Sequence, residues 1–159
     1  MITTYLQQAA ANLRYTGAAP TFIFSTQGMQ NYDQDKVPVW SVHVPILQDS
    51  FTFETATQKR SNLVVMFWAR AGTNREMNED AAYYDGIFRA LVLQRDNWLR
   101  ILDAIKDSEG RKVINVLNSP AITTTYIAQV ANFDAPVTAI QFNLPIEHIE
   151  YKPLCPVHP

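Results

Sequence analysis

The nearly unbroken apolar run NLVVMFWAR, at residues 62–70, constrains the fold more than any other stretch of the sequence. The run has the length of a strand and is soon followed by Gly72, whereas a buried helix is usually longer. Apolar residues at successive positions are typical of a strand that is covered on both faces of its sheet. The run therefore predicts a central β-strand.

A long amphipathic helix is predicted after this strand. Its apolar side chains recur every three or four residues and are Tyr84, Ile87, Phe88, Leu91, Trp98, Leu99, Leu102 and Ile105. Thr73 and Glu76 fit a capping box and Gly110 fits a C-terminal stop, so the helix is expected to begin between 74 and 79. Gly86 predicts a bend or close packing inside the helix. The apolar stripe is expected to pack on a sheet that contains residues 62–69 and 122–146.

The N-terminal part of the chain predicts a short helix and a strand. Thr4 and Gln7 fit a capping box, after which apolar residues recur at helical spacing: Leu6, Ala9, Ala10 and Leu13. The sequence TFIFSTQG then predicts a strand at residues 21–28.

Residues 37–47 alternate in the manner of a half-buried strand. The alternation puts two sets of side chains on opposite faces, namely Trp40, Val42, Val44 and Ile46 on one and Val39, Ser41 and His43 on the other. Pro38 and Pro45 cannot donate to a ladder, so the strand is predicted to lie at an edge or to be interrupted.

The end of the chain predicts a β-hairpin whose turn is centred on Asp134. In this register the facing pairs are Tyr126 with Phe142, Ala128 with Ile140, and Ile122 with Ile146. The opposite face is polar and mostly uncharged, and it can be solvated or meet another protein: Thr123, Thr125, Gln129, Gln141, Asn143 and Glu147.

Together these elements predict an α+β fold with a mainly antiparallel sheet, one long helix, a short N-terminal helix and a long polar hairpin arm. A chain of 159 residues with 47% hydrophobic and 18% charged residues has the size and composition of one domain. We expect this domain at residues 1–151, followed by an extended Pro-rich tail at 152–159. The net charge of -2 and the lack of a basic cluster argue against a nucleic-acid partner. No leader or membrane segment is recognisable, which predicts a cytoplasmic protein.

No catalytic or cofactor motif is recognisable in the sequence. The five glycines are too widely spaced for a phosphate-binding loop, and no G-x-S-x-G elbow is present. Cys155 lies in a Pro-rich tail that offers no shielded pocket, and with His148 and His158 it lacks a fourth zinc ligand. We therefore predict no catalytic residue, no metal and no cofactor, and no chemical role for His43, Cys155 or His158.

An enzymatic alternative stays open at two places. His43 could act as a general base beside a carboxylate, and Glu76 and Asp80 would share a helix face as a possible pair for a divalent cation. The simpler interpretation is a histidine that lies at the surface or bonds to a backbone carbonyl, together with acids that stabilise the start of a helix. The alternative function is thus a small α+β enzyme, or a monomeric adaptor protein, with a pocket near His43 and Glu76.

The order of elements resembles that of the tail-terminator and neck or tail-completion proteins of tailed bacteriophages. The ending VINVLNSPAITTTYIAQVANFDAPVTAIQFNLPIEHIEYKPLC is similar to the C-terminal segment of small virion proteins in phages that infect Bacteroidetes. LVVMFWAR, an acidic helix start and FRALVLQRDNWLRIL resemble the middle section of those proteins. A Gly-Trp usual in their last strand is replaced here by Thr138-Ala139.

The resemblance implies a structural virion protein without a cofactor, located in the neck or tail and assembled in the host cytoplasm. Copies would form a homo-oligomeric ring that joins the connector to the tail tube, with other neck, connector and tail-tube proteins as partners. Phe51 and Phe53 lie in a polar segment, residues 48–60, that is too long for a tight turn, which predicts contact with other chains. The predicted interface residues are Phe51, Phe53, Thr55, Lys59, Arg60, Leu154 and Val157. We expect neither a membrane nor a specific nucleic acid as a partner.

Overall fold

A computed structural model describes residues 2–24, 39–51, 58–71, 81–117, 121–130 and 136–149 of the chain. These residues form two helices and six strands. In chain order the elements are α1 (Ile2–Ala11), β1 (Thr21–Ile23), β2 (Trp40–Phe51), β3 (Gln58–Arg70), α2 (Ala81–Ala104), β4 (Ile114–Val116), β5 (Thr124–Ile127) and β6 (Val137–Ile149). The predicted tail at 152–159 lies outside the described residues.

The six strands form one sheet with the order β1-β2-β3-β6-β4, and β5 also pairs with β6. Along β6, β5 pairs with residues 139–142 and β4 with residues 146–148, so the two short strands lie at different positions beside the same long strand. β1 and β2 are parallel and the other pairs are antiparallel. The predicted α+β class, with a mainly antiparallel sheet, is confirmed.

β3 is the central strand that the apolar run predicts, because it pairs with β2 on one side and with β6 on the other. Leu63, Val65 and Phe67 are buried in the cluster that contains the helices. Met66 and Trp68 alternate with them and are buried on the opposite face. The prediction of burial on both faces is therefore confirmed for this part of β3.

α2 packs its predicted apolar stripe against the sheet. Its buried side chains include Tyr84, Ile87, Leu91, Trp98 and Leu102. Phe88 and Leu99 are partly buried against the same cluster. The predicted start between 74 and 79 falls outside the described residues.

The end of α2 differs from the prediction. The helix ends at Ala104, and Gly110 lies in a later turn, with a φ of 78° and its amide donating to the Asp107 carbonyl over 3.0 Å. The Asp107 carboxylate accepts hydrogen bonds from the amides of Glu109 and Arg111 at 2.9 and 2.8 Å. This local turn, rather than a glycine cap on α2, needs the left-handed backbone of Gly110.

α1 buries its predicted stripe of Leu6, Ala9, Ala10 and Leu13. The helix begins at Ile2, so Thr4 lies inside it and the predicted capping box is wrong. Trp98 on α2 donates its indole N–H to the Leu6 carbonyl over 3.3 Å, and both groups are buried. The two helices are thus joined by packing and by this hydrogen bond.

The register of β5 against β6 differs by two residues from the prediction. Tyr126 pairs with Ile140 rather than with Phe142, whereas the predicted pairings of Ala128 and Ile122 fall outside β5. A shift of two residues leaves each side chain on its predicted face.

Contacts with α2 accompany the observed register. The ring centroids of Tyr126 and of Phe88 on α2 lie 5.2 Å apart. It also lets the hydroxyl of Thr124 accept a hydrogen bond of 2.6 Å from Arg95 of α2. Contacts with the helix, which strand patterning does not include, favour this pairing. The predicted turn at Asp134 lies outside the described residues.

Asp103 joins the end of α2 to β4. Its carboxylate accepts hydrogen bonds from the Lys112 ammonium at 2.8 Å and from the Val116 amide at 3.1 Å. Partial burial acts to raise the pKa of Asp103, but these donors outweigh it and hold the pKa below its usual value. Because the pKa of Asp103 is lower in the folded chain, its ionised carboxylate stabilises the fold at pH values above the usual aspartate pKa. This stabilisation is lost as the pH falls through the lowered pKa of the folded chain.

Gly86 is exposed, and a Cβ built on it would meet nothing within 4 Å, so the predicted close packing is wrong. Gly86→Ala should raise the free energy of unfolding by about 0.5 to 1 kcal/mol, because alanine has the higher helix propensity and restricts the unfolded chain. Urea denaturation measures the change. Gly110→Ala is the control and should destabilise the protein, because Gly110 has a φ of 78°. A less stable Gly86→Ala protein would contradict the assignment of Gly86 to an exposed helical position.

Candidate assembly interface on the outer face of the sheet

The sheet has a helix side, covered by α1 and α2, and an opposite side that we call the outer face. On β3 the outer face carries Asn62, Val64, Met66 and Trp68, since these residues alternate with the buried residues of the helix side. β6 contributes Ala139, Gln141, Asn143 and Pro145, which are their cross-strand partners. The outer face therefore carries both apolar and polar side chains.

The two ends of the outer face differ in exposure. At one end Ser41, His43, Trp68 and Ala139 are 0% exposed. At the other end Asn62 and Asn143 are exposed, and Ile46 is 43% exposed. The open end is the part of the face that is available to a partner.

A β-bulge in β2 lies where this open end begins. The register with β3 shifts between His43, which pairs with Met66, and Ile46, which pairs with Val64. β2 thus has one extra residue here, at Val44 and Pro45, and Pro45 could not donate to a regular ladder. The predicted interruption of this strand is confirmed.

The bulge also overturns one predicted orientation. Alternation places Ile46 on the same face as Trp40, Val42 and Val44, and those three residues are indeed buried on the helix side. The extra residue reverses the alternation, so Ile46 lies on the outer face and Leu47 packs against the helix-side cluster instead. The assignment of Ile46 to the core is therefore wrong.

The open end forms a depression of about 570 Å³, which we call the outer groove. Its lining residues come from β2, β3, β6 and the segment before β5, and are Ile46, Gln48, Asn62, Leu63, Val64, Ala121, Thr123, Asn143 and Pro145. None of them carries a charge. Three carboxamides, those of Gln48, Asn62 and Asn143, can donate and accept hydrogen bonds around an apolar floor.

An ion pair lies next to the outer groove. Arg60 on β3 and Glu147 on β6 are cross-strand partners, and the Arg60 Nε atom lies 3.2 Å from a Glu147 carboxylate oxygen. Asn115 of β4 lies 3.4 Å from the other carboxylate oxygen. Arg60, one of the predicted interface residues, is 72% exposed at its side chain and is therefore accessible to a partner.

The remaining predicted interface residues lie at or beyond the edge of the described part of the chain. Phe51 ends β2 and Lys59 is the second residue of β3, which confirms a long hairpin in place of an irregular loop. The side chains of Phe51 and Lys59 lie outside the described residues, as do Phe53, Thr55, Leu154 and Val157. The predicted contacts of these residues stay predictions.

The enzymatic alternative makes His43 a general base, whereas the simpler interpretation makes it a surface histidine or one bonded to a backbone carbonyl. His43 is 0% exposed, so the prediction of a surface residue is wrong. It shares the covered end of the outer face with Ser41, because both side chains project from the same side of β2. Its proposed neighbours Glu76 and Asp80 lie outside the described residues.

The proposed zinc ligands are only partly described. His148 on β6 is 5% exposed. Its ring lies edge-on to the Tyr5 ring of α1, with ring centroids 5.9 Å apart, so His148 packs against α1. Cys155 and His158 lie outside the described residues. Within the described ranges, no three His, Cys, Asp or Glu side chains lie close enough together to hold a metal ion.

Sequence reasoning identified part of the outer groove. It placed Thr123 and Asn143 on an uncharged face able to meet another protein, and both line the groove. It missed Ile46 and Val64, because a groove with these residues on its floor depends on the bulge. Pro45 was the available signal, since a proline inside an alternating strand often marks such a site.

In the part of the chain that the structure describes, neither helix is both long and apolar enough to cross a membrane. A comparison with protein-family models finds no family that matches the chain. A search of the curated proteins likewise finds no significant match.

Proposed function

We propose that the chain is a ring-forming structural protein of a tailed bacteriophage, located at the head-tail junction or at the top of the tail. The observation that carries the proposal is the uncharged outer groove beside the long β2–β3 hairpin. Burying uncharged amides against another chain costs less than burying unpaired charges, provided that each amide finds a hydrogen-bond partner.

The hairpin supplies a second surface for the same assembly. β2 ends at Phe51 and β3 begins at Gln58. The sequence between them contains Phe53, Thr55 and Thr57. We call residues 51–60 the arm. Its aromatic residues can fill an apolar floor, and its threonines can bond to carboxamides. The arm of one copy is therefore complementary to the outer groove of the next.

An interface between two different patches makes a ring when its rotation closes. The arm and the outer groove are different patches, so each copy can give its arm to one neighbour and receive an arm from the other. The outer edge of β2 adds to this surface, because among the described residues it pairs with another strand only at residues 41–43. Strand edges without a partner are templates for pairing with another chain.

Immunogold labelling of phage particles tests the virion location. An antibody raised against the purified chain should label virions of a tailed phage that encodes it at a single point between head and tail. Label spread along the tail, or virions that carry none of the protein, would contradict the proposal. An antibody against the major tail-tube protein of the same phage provides the comparison.

A further inference from the structure

A second groove lies on the helix side of the sheet, between the end of α1 and the middle of α2. Its volume is about 390 Å³. Asn12 and Arg14 line it from the segment around the end of α1, and Gln94, Asn97 and Arg100 line it from α2. We call it the amide-arginine groove. It has no acidic lining residue, in contrast to the chain as a whole, whose net charge is -2.

Gln94 is the most unusual residue of this groove. It is 9% exposed and lies among the buried residues of α2, yet its carboxamide forms no hydrogen bond with any residue that the structure describes. Its carboxamide is not among the buried polar groups without a partner in the described part of the chain, so solvent reaches it from the groove. Because it lines an open groove, its partner can come from outside the chain.

The charges point to an anion as that partner. Every acid whose side chain the structure describes has a cationic partner: Asp85, Asp96, Asp103, Asp107, Glu109 and Glu147. Arg14 and Arg100 have no carboxylate partner among the described residues, and both line the amide-arginine groove. Two exposed arginines thus line a groove that no acid lines, and Arg100 also borders the neighbouring depression that Asp103 lines.

The C-terminal end of α1 opposes this attraction, because its carbonyl groups carry partial negative charge. Arg14 reduces this effect by donating to the carbonyls of Ala11 and Leu13 over 2.8 and 2.6 Å. Its other N–H groups, and those of Arg100, are still able to bind a ligand. The groove therefore offers cationic N–H donors and has no carboxylate among its lining residues.

We propose that the amide-arginine groove binds a carboxylate group from outside the chain. A carboxylate is planar and accepts two parallel hydrogen bonds from a guanidinium group, and the amides of Gln94 and Asn97 can donate to it from the side. The group could belong to a small dicarboxylic acid or to an Asp or Glu side chain of another protein. The proposal does not depend on ring formation.

Thermal-shift and calorimetric titrations at constant ionic strength test this site. The probes are succinate, a hexaglutamate peptide and inorganic phosphate. Succinate or the peptide should raise the melting temperature of the unaltered protein. Arg100→Gln should weaken the binding about tenfold or more, since it removes a charged hydrogen-bond donor. Lys106→Gln is the matched control, because Lys106 is exposed, has no ion pair among the described residues and lies outside the groove.

Gln94→Leu separates a binding role from a structural role. Without ligand this variant should be at least as stable as the unaltered protein, because the amide that it removes forms no hydrogen bond within the described residues and leucine is a strong helix former, but it should bind the carboxylate probe more weakly. Tighter binding of the peptide than of succinate would assign the site to a protein side chain, and the reverse would assign it to a small acid. Binding of phosphate alone, or equal affinities for Arg100→Gln and Lys106→Gln, would overturn the proposal. Unchanged affinity of Gln94→Leu would overturn it as well.

Discussion

Trp98→Ala should lower the free energy of unfolding by about 3 to 5 kcal/mol. Trp98 is 0% exposed and lies at the centre of an aromatic cluster on the helix side of the sheet. Its ring centroid lies 5.5 Å from that of Phe67 on β3 and 6.5 Å from that of Phe142 on β6. Truncation would remove these contacts, leave a cavity between helix and sheet, and leave the Leu6 carbonyl without its indole donor.

Denaturant unfolding followed by circular dichroism measures this loss. Trp98→Phe should cost less than Trp98→Ala, because it keeps an aromatic ring and loses chiefly the hydrogen bond to Leu6. Leu93→Ala is the control on the same helix, since Leu93 is 58% exposed and should change stability by no more than about 0.5 kcal/mol. Equal stability of Trp98→Ala and Leu93→Ala would contradict the packing of α2 described above.

Ile46→Asp should abolish the proposed ring without unfolding the subunit. Ile46 is 43% exposed on the floor of the outer groove, so an aspartate there is solvated in the isolated chain. In the assembly the same carboxylate would be buried against the aromatic side chains of the neighbour's arm, which costs several kcal/mol. The mass in light scattering should fall to that of one chain, 18.1 kDa. Leu93→Asp introduces the same charge on α2 and should leave the assembly intact.

A mixture of two variants tests the arm-to-groove geometry. Phe51→Ser combined with Phe53→Ser removes the aromatic residues of the arm, and this protein should also fail to assemble alone. Mixed with Ile46→Asp, however, it still offers an intact groove to an intact arm. One interface can then form, so the mixture should stop at a dimer of twice 18.1 kDa. A mixture that stays monomeric, or that restores the full ring, would contradict an interface between arm and groove.

Local patterns predicted the central strand and the long helix because both depend on the chain's own periodicity. Residues 63–69 are apolar at every position, and Trp98 and Leu102 repeat at helical spacing, so the burial of most of these side chains follows from the sequence. The helix-side core is also predicted because each strand contributes alternate residues to it. These features need no knowledge of how distant segments meet.

The outer face could be predicted only in part because it depends on irregular and distant features. One extra residue in β2, at Pro45, reverses the orientation of Ile46. A prediction from strict two-residue alternation does not detect such an inserted residue. His43 is buried because the outer face is covered at its end of the sheet, which the alternation within its own strand does not indicate. Gln94 occupies a buried position on α2 where periodicity predicts an apolar residue, and that mismatch was a usable signal.

The mass of the unaltered protein in solution tests the central claim most directly. Size-exclusion chromatography with light scattering, or native mass spectrometry, should give a single species of at least three chains, each of 18.1 kDa. Its mass should stay constant on dilution until the ring dissociates, because a closed ring satisfies every arm and every groove. A mass of 18.1 kDa at all accessible concentrations, with Ile46→Asp indistinguishable from the unaltered chain, would contradict the proposed ring.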